Sequence, residues 1–264
     1  MKKYIEVAKI LFKTQLIYRF DVAMTALETI GRVLFAWLIW GAVFAGRNTV
    51  KGFYFEAMLL YYVVSSFIST LDLSWNVSGE VSQGIRGGTF SKFMVIPANP
   101  LAHFLAQNFG AASYYALFAL PVAFISGIMF GARACIGNPA AVILGLTMIP
   151  IGTAFMVMYH FFIGLLAFKF QDVTFFRYMQ STVINFIQGG YLPLNLLSDN
   201  ALSLIRLLPF PHTVFTPAML IIGRMDFYDG LFSMGVLAFW TTAMLAVTQL
   251  AYKRLRVKYD GVGV

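Results

Sequence analysis

Six long apolar runs, separated by short polar stretches, restrict the folds that this sequence can adopt. A membrane-spanning helix needs about 20 mostly apolar residues, and each run is long enough to supply one. The runs cover residues 22–45, 55–75, 104–130, 139–168, 173–189 and 227–252. Charged residues make up 11% of the 264 residues, less than half of the roughly 25% that is typical of a soluble domain. The sequence therefore predicts an all-α integral membrane protein, a single domain of residues 1–264 with six transmembrane helices.

The first 20 residues are basic and amphipathic. Ile5, Ala8 and Phe12 recur at helical spacing, as they do along the apolar face of a helix. Charged side chains interrupt the apolar core that a cleaved signal peptide would need. We therefore expect residues 1–20 to form an uncleaved helix that lies in the membrane interface.

Lys and Arg residues are distributed unequally between the two sides of the predicted membrane domain. Thirteen of the 19 lie on the side that holds both chain ends, five lie on the other side, and Arg32 lies inside the first run. Because positively charged loops remain in the cytoplasm, both termini are predicted to be cytoplasmic. The net charge of +8 then reflects membrane orientation, and we expect no nucleic-acid partner.

The sequence contains no recognisable motif for catalysis or nucleotide binding. The Gly-rich stretch 84–92 lacks the Gly-Lys-Ser/Thr end of a phosphate-binding loop. His103, His160 and His212 are far apart, without an HExxH motif or a GxSxG elbow, and Cys135 is the single cysteine. We expect no catalytic residue, metal site or cofactor in this chain. Any ATP would be hydrolysed, with Mg²⁺, on a partner chain.

The polar connection at residues 78–101 has the pattern of a lever that lies along the membrane surface. Glycines end a short amphipathic stretch, and two prolines end the apolar strip behind it, as expected of short surface helices. Taken alone, the pattern also fits an ordinary interfacial loop. The residues that carry the lever interpretation are Glu80, Ile85, Arg86, Gly88, Phe90, Pro97 and Pro100.

A second interruption, residues 190–224, lies between the last two apolar runs. Its prolines cannot stand inside unbroken helices without kinking them. We therefore expect the chain to bend repeatedly here, at the outer face of the membrane. The residues that define the pattern are Pro193, Pro209, Phe210, Pro217 and Gly223.

Three charged residues fall within the predicted spans, where each costs at least about 2.5–3.5 kcal/mol at mid-bilayer. Glu28 and Arg32 are four residues apart and share a helical face, so they can pair. Asp72 lies near the inner end of the second run. They could line a polar path or a contact between two chains. Alternatively, they neutralise one another and reach the headgroup region.

The two interrupted segments together resemble the ABC-2 type permease family, most closely its viologen and daunorubicin-like exporters. The pattern from Ile85 to Pro100 resembles the family's cytoplasmic coupling helix. It has Phe90 where leucine is usual, and Ile96 where arginine usually precedes the proline. The Leu-Pro-Phe sequence that ends at Phe210, with the following Pro and Gly, resembles the family's external re-entrant helical hairpin.

The resemblance implies the membrane-spanning subunit of an ATP-binding cassette exporter in a bacterial plasma membrane. Its implied partners are two ABC ATPase subunits, which the coupling helix contacts, and a second permease copy or a related permease chain. The implied substrate is a drug, a peptide or a lipid-like molecule. Two alternatives stay open: a membrane-embedded enzyme or assembly factor that uses Glu28, Asp72 and the outer hairpin, and an ion-driven secondary transporter, whose broken helices usually lie near the bilayer midplane.

Overall fold

The described part of the chain is built from α-helices. The structure, a computed structural model, describes residues 2–17, 19–95, 98–129, 137–170 and 172–256. Helices α1 to α11 cover, in chain order, Lys2–Ile17, Arg19–Val43, Phe55–Thr70, Ser74–Arg86, Lys92–Val95, Pro100–Met129, Pro139–Leu165, Thr174–Ile187, Asp199–Ile205, Phe215–Ile221 and Phe227–Leu255. Within these ranges there is no β-strand beyond an isolated pairing of Val50 with Phe53. The predicted all-α class is confirmed.

Five helical segments among the described residues are long and apolar enough to cross a membrane. They are Ala23–Val43, Phe55–Arg86, Pro100–Ile125, Pro139–Phe168 and Phe227–Leu255. A sixth is obtained if Asp199–Ile205 and Phe210–Ile221, which meet at 82°, are counted as one bent span. Large apolar side chains of α2, α6 and α11 are exposed on the outside of the bundle, as a lipid-facing surface requires.

The second span is longer than its hydropathy indicates. α3 and α4 form one segment that continues to Arg86, whereas the apolar run ends at residue 75. α4 is polar overall, but Val77, Val81 and Ile85 recur on one face and are buried, in contact with α7. The predicted surface lever, residues 78–101, therefore begins inside a packed helix.

The predicted fifth span, residues 173–189, is a short helix in the structure. α8 has 14 residues, which at 1.5 Å per residue is about 21 Å, short of the roughly 30 Å hydrocarbon core. The side chain of Asp172 accepts the backbone N–H of Thr174 at 2.7 Å at one end. At the other end, Gly189 takes a left-handed conformation with φ 79°, which glycine adopts without strain and which stops the helix.

Asp199–Ile205 and Phe210–Ile221 form what we call the bent pair. The second helix of the pair contains α10, which packs into the centre of the bundle. Six of the seven residues of α10 are buried. Glycines on α7 and α11 make room for it: a Cβ at Gly145 would lie 3.0 Å from the Pro217 carbonyl, and one at Gly230 would lie 2.6 Å from a Leu220 methyl group. The bent segment predicted for residues 190–224 is present, and its placement at the outer face stays a prediction.

Helix α1 packs along the first half of α6. The backbone N–H of Asn99 donates to the Tyr4 hydroxyl at 2.9 Å, and the Phe12 ring meets the Tyr114 ring edge-on at 5.5 Å. Between these contacts the two backbones touch, since a Cβ at Gly110 would lie 2.3 Å from the Ala8 carbonyl oxygen. The N-terminal segment is helical as predicted, and its position in the membrane interface stays a prediction.

Tyr61 ties α3 to the start of the bent segment. Its hydroxyl is buried and donates to the Gly189 carbonyl at 2.7 Å. Tyr61→Phe should lower the free energy of unfolding by about 1–3 kcal/mol, because the carbonyl would remain buried without that donor. Unfolding in detergent, followed by tryptophan fluorescence, measures the change. Tyr228→Phe removes a hydroxyl from an exposed ring and should stay within about 0.5 kcal/mol. Equal effects of the two substitutions would contradict the assigned role.

Candidate functional site: a polar chamber and a surface segment

Two adjoining cavities form what we call the polar chamber, between α2, α3, α4, α6, α7 and α8. The first has a volume of about 190 Å³ and is lined by Glu28, Ser66 and Tyr115, among others. The second has a volume of about 300 Å³ and extends toward α7 and α8, the side that we call the far wall. Arg32, Ser69 and Asp72 line both cavities. The chamber therefore lies beside the break between α3 and α4, with Asp72 in that break.

The three charged residues predicted within the spans all line this chamber. Glu28 and Arg32 form the predicted ion pair, with Oε1 and Nη2 2.6 Å apart. Asp72 accepts the backbone N–H of Ser74 at 3.0 Å. Among the described residues, no Lys or Arg nitrogen lies within 4 Å of its carboxylate. The structure thus brings together residues that are 44 positions apart in the sequence.

The far wall of the chamber contains polar atoms without a protein partner. His160 Nδ1 and Ser74 Oγ are both buried and make no hydrogen bond to another described residue. A buried polar group left without a partner costs about 1–3 kcal/mol. Water or the polar part of a bound molecule would satisfy them. The sequence suggested no functional role for His160, and no periodic pattern connects it to Ser74.

Arg177 fixes α8 to α4 beside the chamber. Its Nε donates to Ser78 Oγ at 2.8 Å, and its guanidinium lies over the Trp75 ring, 4.6 Å from the centroid. Gly79 makes this approach possible, because a Cβ there would lie 2.9 Å from Nη2. Such a contact over an aromatic face stabilises by about 0.5–2 kcal/mol. The link was not expected from the sequence, where Arg177 counted only toward membrane orientation.

The surface segment, residues 83–95, extends from the end of α4. Gly88, in a left-handed conformation with φ 76°, turns the chain so that the following 3-10 turn, Thr89–Ser91, packs against α4. Phe90, 2% exposed, and Ile85, 4% exposed, point into the bundle. These two predicted docking residues therefore anchor the segment to the bundle, and their buried side chains are not available to a partner protein.

The exposed side chains of the surface segment are the ones free to contact another protein. They include Arg86 and Lys92, and Val95 is 84% exposed. Sequence reasoning missed Lys92 and Val95, because only contact with the bundle distinguishes them from their buried neighbours. Arg86 Nη1 lies 3.6 Å from Asp172 Oδ1. Hydrogen bonds from Thr174, assisted by Arg86, hold the pKa of the Asp172 carboxyl below its usual value.

The remaining residues predicted for the lever lie around this segment. Glu80 is exposed and accepts from Gln107 Nε2 through both carboxylate oxygens, at 3.2 and 3.1 Å. Pro100 is the first residue of α6 and is buried. Pro97 lies outside the described residues. Glu80 and Pro100 thus connect the lever to α6.

The residues predicted for the outer hairpin occupy its bends. Pro193 and Pro209 each precede a 3-10 turn. Phe210 packs its ring against Phe155, with centroids 5.7 Å apart. Pro217 lies in the first turn of α10, where its missing N–H has no helical partner to lose. Gly223, which follows the end of α10, has a left-handed conformation with φ 66°.

His212 lies in the same bend and serves its structure. Its ring is fully buried, with Nδ1 2.9 Å from Thr216 Oγ1 and Nε2 2.9 Å from the Arg206 carbonyl. Both ring nitrogens are therefore occupied by neighbours within the bend. His212 therefore stabilises the fold of the bend.

A helical bundle with several potential spans, a polar chamber between them and a structured surface segment at one end has the construction of a membrane permease. Residues 30–263 match the family model for the ABC-2 family transporter protein, and the chain belongs to this family. No curated protein sequence matches the chain. Membrane subunits of this family are generally not enzymes, and they associate with ABC ATPases on separate chains.

Proposed function

We propose that the chain is the permease subunit of an ABC exporter, which moves a substrate out of the cytoplasm with energy from ATP hydrolysed on a separate ATPase. The observation that carries the proposal is that α3 and α4, despite the break between them, together form one long span. The segment Phe55–Arg86 contacts the bent pair where the Tyr61 ring meets the Phe215 ring. It lines the polar chamber at Asp72 and ends in the surface segment. One element thereby connects the docking region, the chamber and the far end of the bundle.

In the proposed assembly, two ABC ATPase subunits bind beneath two permease chains, either two copies of this chain or one copy and a related chain. The surface segment contacts an ATPase on the cytoplasmic side, where both termini also lie. ATP and Mg²⁺ are bound by the ATPases. Closure of the ATPases would move the surface segment and, through α4, the wall of the chamber, because a ligand shifts the equilibrium between two states by its differential affinity for them.

The chamber supports a substrate that carries a polar group on a larger apolar body. Its walls offer hydroxyl, imidazole and carboxylate groups, while the exposed exterior of the bundle is apolar. A drug-like molecule, a peptide or a lipid-like molecule has both kinds of surface. The polar part would satisfy His160 Nδ1 and Ser74 Oγ, and the apolar part would remain among the spans.

The docking assignment is tested by a double variant, Lys92→Glu with Val95→Asp, co-expressed with the ABC ATPase of the complex. Both side chains are exposed, so the variant should keep the thermal stability of the wild-type chain. Co-purification of the ATPase should fall at least about tenfold, since few residues carry most of the energy of an interface. Quantitative pull-down and ATPase assays measure both effects.

Leu204→Asp is the matched control for this experiment. It places a carboxylate on another exposed apolar residue, on α9 at the other end of the fold, and should leave ATPase binding unchanged. Wild-type binding by the Lys92 and Val95 double variant would refute docking through the surface segment. An equal loss in both variants would show that added acidic charge, and not the location, weakens the complex.

A further inference from the structure

A cleft with a basic edge lies where α5, the start of α6 and the end of α11 meet. Its volume is about 420 Å³, larger than either cavity of the polar chamber. Its lining includes two basic residues, Lys253 and Arg256, and three apolar ones, Phe93, Leu101 and Phe161. No Asp or Glu is among its described lining residues. We call it the basic cleft; it is separate from the chamber.

Among the residues that the structure describes, the two cations of the basic cleft have no acidic partner. Lys253 and Arg256 are three residues apart, hence on neighbouring positions of one helical face. In the described ranges neither has a carboxylate within 4 Å. The Arg256 guanidinium lies over the Tyr252 ring, 5.4 Å from its centroid, which holds its charge near the cleft. Two like charges on one cleft repel each other, and an anion between them would remove that repulsion.

The start of α6 adds to the positive potential of the basic cleft. Asn99 and Pro100, which open this helix, both line the cleft. Pro100 has no N–H, and the Ala102 N–H donates to Asn99 Oδ1 at 3.4 Å, so the contribution is that of the helix dipole, which favours anions near the N-terminus. Asn99 is held in place by the hydrogen bond from its backbone N–H to the Tyr4 hydroxyl at 2.9 Å. The cations on α11 and the end of α6 therefore attract the same kind of ligand.

The apolar lining residues of the basic cleft indicate that this anion belongs to a lipid. Phe93, Leu101 and Phe161 would gain little from a small hydrated anion, whereas they match the acyl chains or glycerol region of a lipid. The cleft also lies at the ends of two segments that are long enough to cross a membrane, Pro100–Ile125 and Phe227–Leu255. Headgroups lie at that depth, and basic residues there bind anionic lipids.

We propose that the basic cleft binds the phosphate group of an anionic phospholipid, with Lys253 and Arg256 as its ligands. The apolar lining residues would contact the apolar part of the lipid. The proposal requires neither an ATPase nor a transported substrate. Its failure would therefore leave the permease assignment intact, and failure of ATPase docking would leave the lipid site intact.

The experiment uses the full chain, purified in detergent and titrated with phosphatidylglycerol, phosphatidylcholine or inorganic phosphate, with bound lipid measured by native mass spectrometry. Lys253→Gln combined with Arg256→Gln should weaken phosphatidylglycerol binding by roughly tenfold or more, because each basic residue near a membrane surface adds to the attraction for an anionic lipid. Binding of phosphatidylcholine, which has no net charge, should be weaker than that of phosphatidylglycerol and insensitive to the substitutions.

Arg254→Gln is the matched control, since Arg254 lies on the same turn of α11, is exposed and does not line the basic cleft. It should bind phosphatidylglycerol as the wild-type chain does. Unchanged binding by the double variant, or equal losses in the double variant and in Arg254→Gln, would overturn the proposed site. Displacement of phosphatidylglycerol by an equal concentration of inorganic phosphate would overturn a lipid as the ligand.

Discussion

Phe90→Ala is expected to lower the free energy of unfolding by about 3–5 kcal/mol, the range for removal of a buried aromatic side chain. The Phe90 ring is 2% exposed and fills the space between the surface segment, the end of α7 and α11. Its centroid lies 5.2 Å from that of Phe93 and 6.4 Å from that of Tyr252. Equilibrium unfolding in detergent, followed by tryptophan fluorescence, measures the loss.

Two further substitutions determine whether the effect comes from the buried ring. Val95→Ala shortens an exposed side chain of the same segment and should change stability by no more than about 0.5 kcal/mol. Phe90→Leu keeps most of the volume of the buried side chain. It should cost less than about 1.5 kcal/mol. If Phe90→Ala were as mild as Val95→Ala, the surface segment would not be anchored by this ring.

Gly164→Val is expected to destabilise the packing of α4 on α7 by about 3 kcal/mol, at the upper end of the usual overpacking range. A Cβ at Gly164 would lie 2.6 Å from the Val81 Cβ and 3.2 Å from the Ser78 carbonyl oxygen. Neither atom can move away without shifting α4 itself. We therefore expect a lower thermal unfolding midpoint, and weaker ATPase binding because the surface segment continues from α4.

Gly235→Val controls for the effect of a β-branched residue on a helix. Gly235 lies within α11, and a Cβ there would meet nothing within 4 Å. The same change in helix propensity applies at both positions, so the difference between the two variants isolates the contact with α4. Equal midpoints for the two variants would contradict the close approach of α4 and α7.

The long spans could be predicted because a continuous apolar stretch of about 20 residues indicates a membrane-crossing helix, whether its side chains face lipid or the rest of the bundle. The predicted runs 104–130, 139–168 and 227–252 correspond to α6, α7 and α11. Two boundaries could not be predicted, for opposite reasons. α4 is polar in composition, yet it continues the second span because its apolar face packs on α7. Residues 173–189 are apolar enough to suggest a span, yet Asp172 and Gly189 limit α8 to 14 residues.

The charged part of the candidate site could be predicted and the rest of the chamber could not. Glu28 and Arg32 reveal their pairing by a spacing of four residues, which is a local property of a helix. His160 and Ser74 approach the same chamber from different helices, and only tertiary packing brings them together. Tertiary packing also decides which side chains of the surface segment are buried. Phe90 faces inward and Val95 outward, although both are apolar in the sequence pattern.

The interruption at Leu71–Leu73 divides the second span into two helices that meet at one joint. Beyond the joint, α4 is 13 residues long, so a rotation of about 10° there would displace its far end by roughly 3 Å, given a rise of 1.5 Å per residue. α3, held by Tyr61 to the Gly189 carbonyl, would stay in place. Since Asp72 lies in the joint, the same rotation would change the distance between its carboxylate and the paired Glu28 and Arg32. A small push at the surface segment would thereby alter the electrostatic field inside the membrane without moving the distant half of the protein.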